Sequence, residues 1–165
     1  MTRTRSAAAA LLAAAAMASP AFADDINRAS ADGSAGVTIF LRINLAQSQA
    51  LDFGAITSGV AGAVAIDQVS GTRAVSGGVG AVAESVGKTG AFTVNGQPNA
   101  AINIVVGSAI TGFSGGITGT TLVSNLPVAL TGTSATFTVG GALIVPANTP
   151  PGPYVGAYTV AVNYP

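Results

Sequence analysis

Few residues in this chain are suited to covalent or acid–base chemistry. The sequence contains no histidine and no cysteine, so a nucleophile would have to be a serine or threonine activated by Lys88 or by a carboxylate. Lys88 is the single lysine and lies in a Gly-Lys-Thr turn pattern without helical periodicity behind it. We therefore expect Lys88 to be a solvated turn residue.

Asp52 and Asp67 are the pair of carboxylates that could in principle act as a general acid and a general base. Both stand where a strand end or turn is expected, and turn aspartates usually bond to their own backbone. The sequence has no cluster of metal ligands and no calcium-loop pattern, and its glycine pairs lack the lysine and helix of a phosphate loop. The sequence predicts a non-enzymatic protein without metal or cofactor.

The N-terminus has the three parts of a cleavable secretory signal. Arg3 and Arg5 form a short basic start, an apolar run extends from Ala7 to Ala18, and small residues lead to Ala23. We expect cleavage after Ala23 and export through the periplasm to the cell surface or beyond, with no membrane span left in the mature chain. A retained N-terminal anchor is the alternative, although the apolar run is short for a span of about 20 residues.

The sequence after this segment carries little charge. It keeps four basic and six acidic side chains, a net charge of about −2, and this excess of acid does not favour nucleic-acid binding. Charged residues make up 7% of the whole chain, against roughly 25% in an ordinary domain. Such a surface suits a protein that packs against copies of itself, but an ordinary secreted β-domain of biased composition fits it equally well.

The sequence from Val37 to Leu45 has the strongest strand pattern. Apolar residues occupy alternate positions: Val37, Ile39, Leu41, Ile43 and Leu45. In a strand these side chains share one face. The preceding residues 24–35 are polar and without periodicity, so we expect a signal peptide at 1–23, a flexible extension at 24–35 and a β-sandwich domain at 36–165.

Short alternating runs continue to the end of the sequence. Further strands are expected at 51–56, 60–67, 91–94, 100–106, 122–130, 135–139 and 142–145, with Val64 and Ile66 as core positions of the second of these. Asn95-Gly96 favours a turn or hairpin, Gly140-Gly141 a hairpin, and 107–121 a long loop. Helical periodicity is missing after the signal, and short strands separated by Gly, Asn and Pro turns at a spacing of roughly ten residues are typical of an all-β antiparallel sandwich or barrel. We expect the sandwich.

The last strand follows a proline-rich turn at 149–153. Its inward face is predicted to consist of Tyr158, Val160, Val162 and Tyr164. The tyrosines, with Tyr154, are expected to pack and seal the end of the sheet rather than to form a carbohydrate platform.

Three segments in this order resemble a secreted bacterial family known as domain of unknown function 4402. They are Leu51 to Ile56, Phe92 to Asn99, and Gly140 to Leu143 followed by Gly152 to Tyr164. That family is similar to the pilin-like subunits of chaperone–usher fimbriae and to spore-coat-U type domains. The resemblance implies an immunoglobulin-like sandwich whose groove is completed by a strand from a neighbouring subunit, after a periplasmic chaperone and with an outer-membrane usher.

Our interpretation is a structural subunit of a bacterial surface fibre that polymerises by β-strand complementation. Val37, Ile39, Leu41, Ile43 and Leu45 are the candidate inserted residues, and Tyr158, Val160, Val162 and Tyr164 the candidate closing strand of the groove. The segment 37–45 fits equally as the domain's own first strand. The alternative function is a monomeric secreted binding module, or a fibre-tip adhesin that uses Tyr154 and the 107–121 loop.

Overall fold

The structure is a computed structural model that describes residues 29–57, 59–123 and 126–165. The expected signal peptide and the start of the extension lie outside these residues. The chain divides into two compact units, Met1–Val37 and Thr38–Pro165. The described residues of the first unit are exposed and have no regular secondary structure.

The second unit is built from short antiparallel strands, and the described residues contain no helix. The strands are β1 (Asn44–Gln49), β2 (Ile56–Thr57), β3 (Gly62–Ile66), β4 (Arg73–Gly77), β5 (Gly80–Ala81), β6 (Gly90–Asn95), β7 (Asn103–Val106), β8 (Ala109–Ile110), β9 (Thr118–Leu122), β10 (Ser134–Val145) and β11 (Val160–Asn163). The all-β prediction is confirmed. Within the same residues, no helix is long and apolar enough to cross a membrane.

The strands form one large sheet and two strand pairs. The large sheet has the order β1-β6-β10-β3-β4, with β9 also on β10 and β8 on β9. The pairs are β11 with β7 and β2 with β5. Every pairing is antiparallel, and β1 has an irregularity in its register on β6 between Gln47 and Gln49.

The main hydrophobic core lies between the β1–β6–β10 layer and the β7–β11 pair. Its buried members are Phe92, Val94, Ile102, Ile104, Leu130, Phe137 and Val139. Phe92 and Phe137 are directly paired across β6 and β10, and their rings stack with centroids 5.3 Å apart. Because both layers contribute side chains to one cluster, the arrangement is sandwich-like.

A second, smaller cluster lies near the other end of β10. It consists of Val64, Ile110 and Leu143, with half-buried aromatic and aliphatic side chains around it. Tyr158 packs against both clusters and so joins them. Val64 and Ile66, predicted as core residues, are fully buried.

Strand β10 connects the two parts of the sheet. Residues Ser134–Val139 pair with β6, whereas residues 140–145 pair with β3 and β9. At Gly140, between these two halves, a side chain would collide with the backbone oxygen of Ile66 and the backbone nitrogen of Gln68. The predicted hairpin at Gly140-Gly141 is therefore wrong: the glycines let one continuous strand pass close to β3.

The strand boundaries near the start and in the middle also differ from the sequence prediction. The first strand begins at Asn44, and residues 37–43 have no strand partner in the structure. The expected loop at 107–121 contains β8 and the start of β9. Asn95 is the last residue of β6, and the turn that follows lies at residues 98–99 and leads into another layer, since β6 and β7 do not pair. Pairing depends on partners distant in sequence, which local alternation does not report.

We expect Gly140→Ala to destabilise the domain by about 1–3 kcal/mol, because the added methyl group meets backbone atoms that have no free rotation. Denaturant unfolding followed by circular dichroism measures the change. Gly59→Ala is the matched control, since a Cβ there has no neighbour within 4 Å, and its effect should stay within about 0.5 kcal/mol. Equal effects of the two substitutions would contradict this account of β10.

Candidate functional site

The strongest candidate site is a groove between β1 and β11. Strand β1 pairs with β6 along one edge, and β11 pairs with β7 along one edge. Within residues 29–57, 59–123 and 126–165, no strand pairs with the other edge of either. An unpaired edge presents a row of backbone donors and acceptors that can bind another strand.

Two cavities lie along this groove. The smaller, about 390 Å³, lies between residues 45–51 on one wall and 156–160 on the other. The larger, about 800 Å³, lies between residues 51–57 and 149–156 and is bounded further by the loop that contains Phe113. The cavities share Leu51, Gly156 and Tyr158 in their linings, so they form one continuous groove.

One end of the groove is closed by a hydrogen-bonded clamp around Tyr164. The Tyr164 hydroxyl donates to the Leu41 carbonyl oxygen at 2.8 Å and accepts from the Gln97 amide at 2.7 Å. The Leu41 amide donates to Oε1 of Gln97 at 3.3 Å, and the Phe40 ring lies 5.0 Å from the Tyr164 ring. These contacts hold Phe40 and Leu41 against Tyr164, the residue that follows β11.

The first wall of the larger cavity is held by Arg73. Its guanidinium donates to the carbonyl oxygens of Phe53 and Ala55 at 3.3 and 3.1 Å and to that of Val82 at 2.8 Å. The planar, fixed arrangement of guanidinium donors suits several acceptors at once, which a lysine cannot match. The wall at 51–57 therefore has a defined shape although only Ile56–Thr57 is strand.

The opposite wall is the proline-rich turn at 149–153. The Tyr154 hydroxyl donates to the Pro150 carbonyl oxygen at 2.6 Å, and its ring lies against Gly115 of the neighbouring loop. Phe53, Phe113, Tyr154 and Tyr158, four of the nine aromatic residues in the chain, line this one cavity. The cavity is mainly apolar, with a rim carboxylate at Asp52.

Tyr158 lies where the two cavities meet. Its hydroxyl is buried against Gly90 and has no hydrogen-bond partner among the described residues, and its ring contacts Phe92 edge-on with centroids 6.1 Å apart. Burial raises the pKa of Tyr158 above its ordinary value, since the phenolate would lose hydration. Tyr158 is therefore an uncharged, mainly apolar part of the groove floor.

The four residues predicted for the closing strand do share a face. Tyr158, Val160, Val162 and Tyr164 are half-buried and pack against the main core, while the residues between them are exposed. Tyr158 and Val160 also line the groove cavities. The alternation that predicted this face is confirmed.

The structure separates the five predicted inserted residues into two groups. Ile43 and Leu45 are half-buried and pack against the domain's own core, and Leu45 pairs with Val94 in the sheet. Val37, Ile39 and Leu41 are 85%, 84% and 57% exposed. The alternating pattern thus runs through a boundary at which the chain enters the domain.

The candidate catalytic carboxylates, Asp52 and Asp67, accept hydrogen bonds from the turns in which they lie. Oδ1 of Asp67 accepts hydrogen bonds from the Val69 and Ser70 amides and the Ser70 hydroxyl, and the Ser70 bonds lower the pKa of this carboxyl most. Asp52 accepts from the Gly54 amide and forms a backbone bridge with exposed Lys88. No group of potential metal ligands occurs among the residues that the structure describes.

Several groove residues have little local signal in the sequence. Phe113 and Ile117 stand in a glycine-rich region, and the local sequence does not distinguish Arg73 from an ordinary surface charge. Phe113 and Ile117 line the larger cavity with residues 51–57 and 149–156, which are far from them in sequence. Arg73 acts from behind the cavity, through bonds to Phe53 and Ala55 across 20 and 18 residues. Isolated aromatic residues within an otherwise small-residue loop are the one signal that points to Phe113.

Fold and groove together define an all-β antiparallel domain with an apolar groove between two unpaired strand edges. Residues 43–164 match the family model described as Domain of unknown function (DUF4402), and the chain belongs to that family. Comparison with curated proteins and with solved structures gave no significant match.

Tyr164→Phe should destabilise the domain by about 1–3 kcal/mol, because the Gln97 amide and the Leu41 carbonyl both lose their partner. Unfolding in denaturant measures the free energy, and hydrogen exchange should show faster exchange at the Gln97 amide. Tyr154→Phe is the control, since it loses one exposed bond to Pro150. A Gln97 amide that exchanges at the same rate in wild type and Tyr164→Phe would show that the clamp does not hold this position.

Proposed function

We propose that the chain is a non-enzymatic structural subunit of a bacterial surface fibre, polymerising by β-strand complementation. The observation that carries the proposal is an apolar groove between two unpaired edges, in a chain that also exposes an alternating apolar segment. The inserted strand is the segment before Leu41 of a neighbouring subunit. Backbone groups of β1 and β11 supply affinity, and the cavities between them accept alternate side chains.

The energetic gain comes mainly from apolar burial. Val37 and Ile39 are largely exposed in the single chain, and full burial of such a side chain contributes about 1.5–3 kcal/mol. The partner's groove also presents half-buried Leu45, Tyr158 and others that gain cover. Insertion would therefore bury apolar side chains of both the inserted segment and the groove.

Donation to a neighbour fits the chain better than self-completion. To lie in its own groove beside β1, the segment before Leu41 would have to reverse direction between Ile39 and Asn44. Residues 39–43 are Ile-Phe-Leu-Arg-Ile, without the Gly, Pro, Asn or Asp that tight turns use. A parallel placement beside β1 would need a crossover of a dozen or more residues.

The resemblance to pilin-like subunits and spore-coat-U type domains adds the cellular setting to this proposal. An open apolar edge invites aggregation until a strand covers it, which is the reason for a periplasmic chaperone that holds the subunit and an outer-membrane usher that assembles it. The secretory signal in residues 1–23 provides the route, and the product is a fibre on the cell surface.

The test compares the mature protein, residues 24–165, with its Val37→Asp/Ile39→Asp variant by size-exclusion chromatography with light scattering. Wild type should form SDS-resistant ladders, and the variant should remain monomeric, because two carboxylates cannot enter apolar cavities without a large desolvation cost. Gly36→Asp/Thr38→Asp is the matched control: it has the same charge in the opposite register and should still assemble. If Val37→Asp/Ile39→Asp assembles as wild type does, this segment is not the inserted strand.

A monomeric binding module, or fibre-tip adhesin, is the second candidate function. The supporting observation is that Tyr154 and the 107–121 loop, through Phe113 and Ile117, do border the same cavity of about 800 Å³. Apolar cavities of this size with few polar groups commonly hold small ligands. A wild-type mature chain that remains a stable monomer and unfolds cooperatively without a chaperone would favour this function.

A further inference from the structure

The large sheet has an outer face without a charged side chain. We define this outer face as the outward side of β3, β4, β6, β9 and β10. Alternation along β10 buries Phe137, Val139 and Leu143 and leaves the residues between them on the outward side. The outward residues of the five strands are alanine, threonine, serine, asparagine and glycine, together with Leu122 and Ile144. An exposed sheet face usually carries charges that keep it from associating.

The lack of charge extends along the chain. Residues 89–165, which include β6 to β11, contain no aspartate, glutamate, lysine or arginine. Strands β3 and β4 add only alanine and serine to the outer face. Asp67, in the turn between them, accepts bonds from that turn, and Arg73 of β4 bonds to the groove wall on the inward side. Charge therefore occurs beside the outer face and not on it.

Ile144 is the most exposed large side chain of the outer face. It is 62% exposed and stands between Ala63 of β3 and Thr118 of β9, its partners in the sheet. Its neighbours along β10, Leu143 and Val145, are buried and line the larger cavity on the inward side. The outer face therefore stays accessible whatever occupies the groove between β1 and β11.

The outer face is large enough for a weak protein–protein contact. Strands lie about 4.8 Å apart and every second residue advances about 6.8 Å, so each outward residue covers roughly 33 Å². The five strands present about 16 outward positions, or roughly 500 Å² per copy. Two such faces would bury roughly 1,000 Å², the lower limit for a specific interface. The outward side of the β7–β11 pair, with two strands of 4 residues each, is several times smaller.

We infer that the outer face binds the outer face of a second copy. It has no charge that could pair with a charged partner, and the partner's charge would lose hydration there without compensation. Its hydroxyl groups both donate and accept hydrogen bonds, so the face is complementary to itself. The small side chains around Ile144 allow two sheets to pack face to face, about 10 Å apart. Contact between identical faces joins copies in pairs.

This contact is weak between single copies and strong between rows of copies. The outer face lacks the tryptophan, tyrosine and arginine that commonly supply most of the binding energy, so single subunits separate at the micromolar concentrations of chromatography. A fibre presents the outer face once per subunit, and two fibres side by side combine many such contacts. The pairwise contact is independent of the proposed function, whereas side-by-side bundling of fibres rests on it.

Sedimentation equilibrium on the mature Val37→Asp/Ile39→Asp variant, in which strand insertion is blocked, measures the pairwise contact alone. At concentrations up to about 1 mM this parent should show a reversible monomer–dimer equilibrium. Adding Ile144→Lys or Thr120→Lys should weaken dimerisation at least about tenfold, because an ammonium group would be buried against an uncharged face. Val105→Lys is the matched control: Val105 is 54% exposed on the outward side of β7, and its substitution should leave dimerisation unchanged.

Electron microscopy of fibres, with the strand-inserting sequence restored, measures bundling. Wild type and Val105→Lys should form fibres that lie side by side, whereas Ile144→Lys should form single fibres with an unchanged SDS-resistant ladder. The loss is expected to be complete, since each added contact between two fibres multiplies the effect of the substitution.

Several results would contradict this inference. Dimerisation that both Ile144→Lys and Thr120→Lys leave unchanged, with circular dichroism like the parent, overturns the placement of the interface, and so does equal weakening by Val105→Lys. A parent that stays monomeric at about 1 mM overturns the pairwise contact; if it sediments with phosphatidylcholine vesicles and its Ile144→Lys form does not, the outer face binds lipid instead. Wild type without fibres, beside a parent that dimerises as expected, overturns the proposed function and leaves the pairwise contact in place.

Discussion

The constraint on which this structure depends is the hydrogen bonding of backbone groups at strand edges. Every strand of the two packed layers has a partner inside the domain, and among the described residues β1 and β11, like the other edge strands β4, β7 and β8, are each paired on one edge. The free edges of β1 and β11 face one groove. Among the described residues no backbone hydrogen bond joins residues 44–57 to residues 149–163, although the Asn148 amide donates to the Gly59 carbonyl oxygen at 3.4 Å just beyond the larger cavity. A weakly charged, small-residue surface offers little charge to protect such edges, which suits them to the strand complementation that we propose.

The groove keeps its shape because its walls are held from outside. Arg73 bonds three carbonyl oxygens behind one wall, and Tyr154 closes the proline turn that forms the other. At the clamped end of the groove, the Tyr164 hydroxyl donates to the Leu41 carbonyl oxygen and accepts from the Gln97 amide, which holds the end of β11 in place. In each of these bonds a side chain pairs with a backbone donor or acceptor. Such bonds stabilise irregular segments whose backbone groups have no partners in a β-ladder. A groove shaped in advance requires less ordering when a partner binds.

The core explains why an incomplete edge does not prevent folding. The buried cluster centred on Phe92 and Phe137 draws side chains from both layers, and β10 continues through Gly140 to join this cluster to the one around Leu143. Tyr158 bridges both clusters beneath the groove. The groove therefore lies on top of a continuous apolar interior, and an inserted strand would extend that interior rather than create a separate one.

The sequence by itself determined the all-β class, the core positions Val64 and Ile66, and the inward face from Tyr158 to Tyr164, because side-chain alternation is a local property of a strand. It also showed an alternating run from Val37 to Leu45, but not where the domain begins within it. Tertiary structure alone decided that Ile43 and Leu45 belong to the core while Val37 and Ile39 are exposed, that Gly140 lies inside a strand, and that Phe113 reaches the groove. These outcomes depend on pairing and contact between residues far apart in the chain, and a local pattern carries no information about which distant backbone a strand will meet.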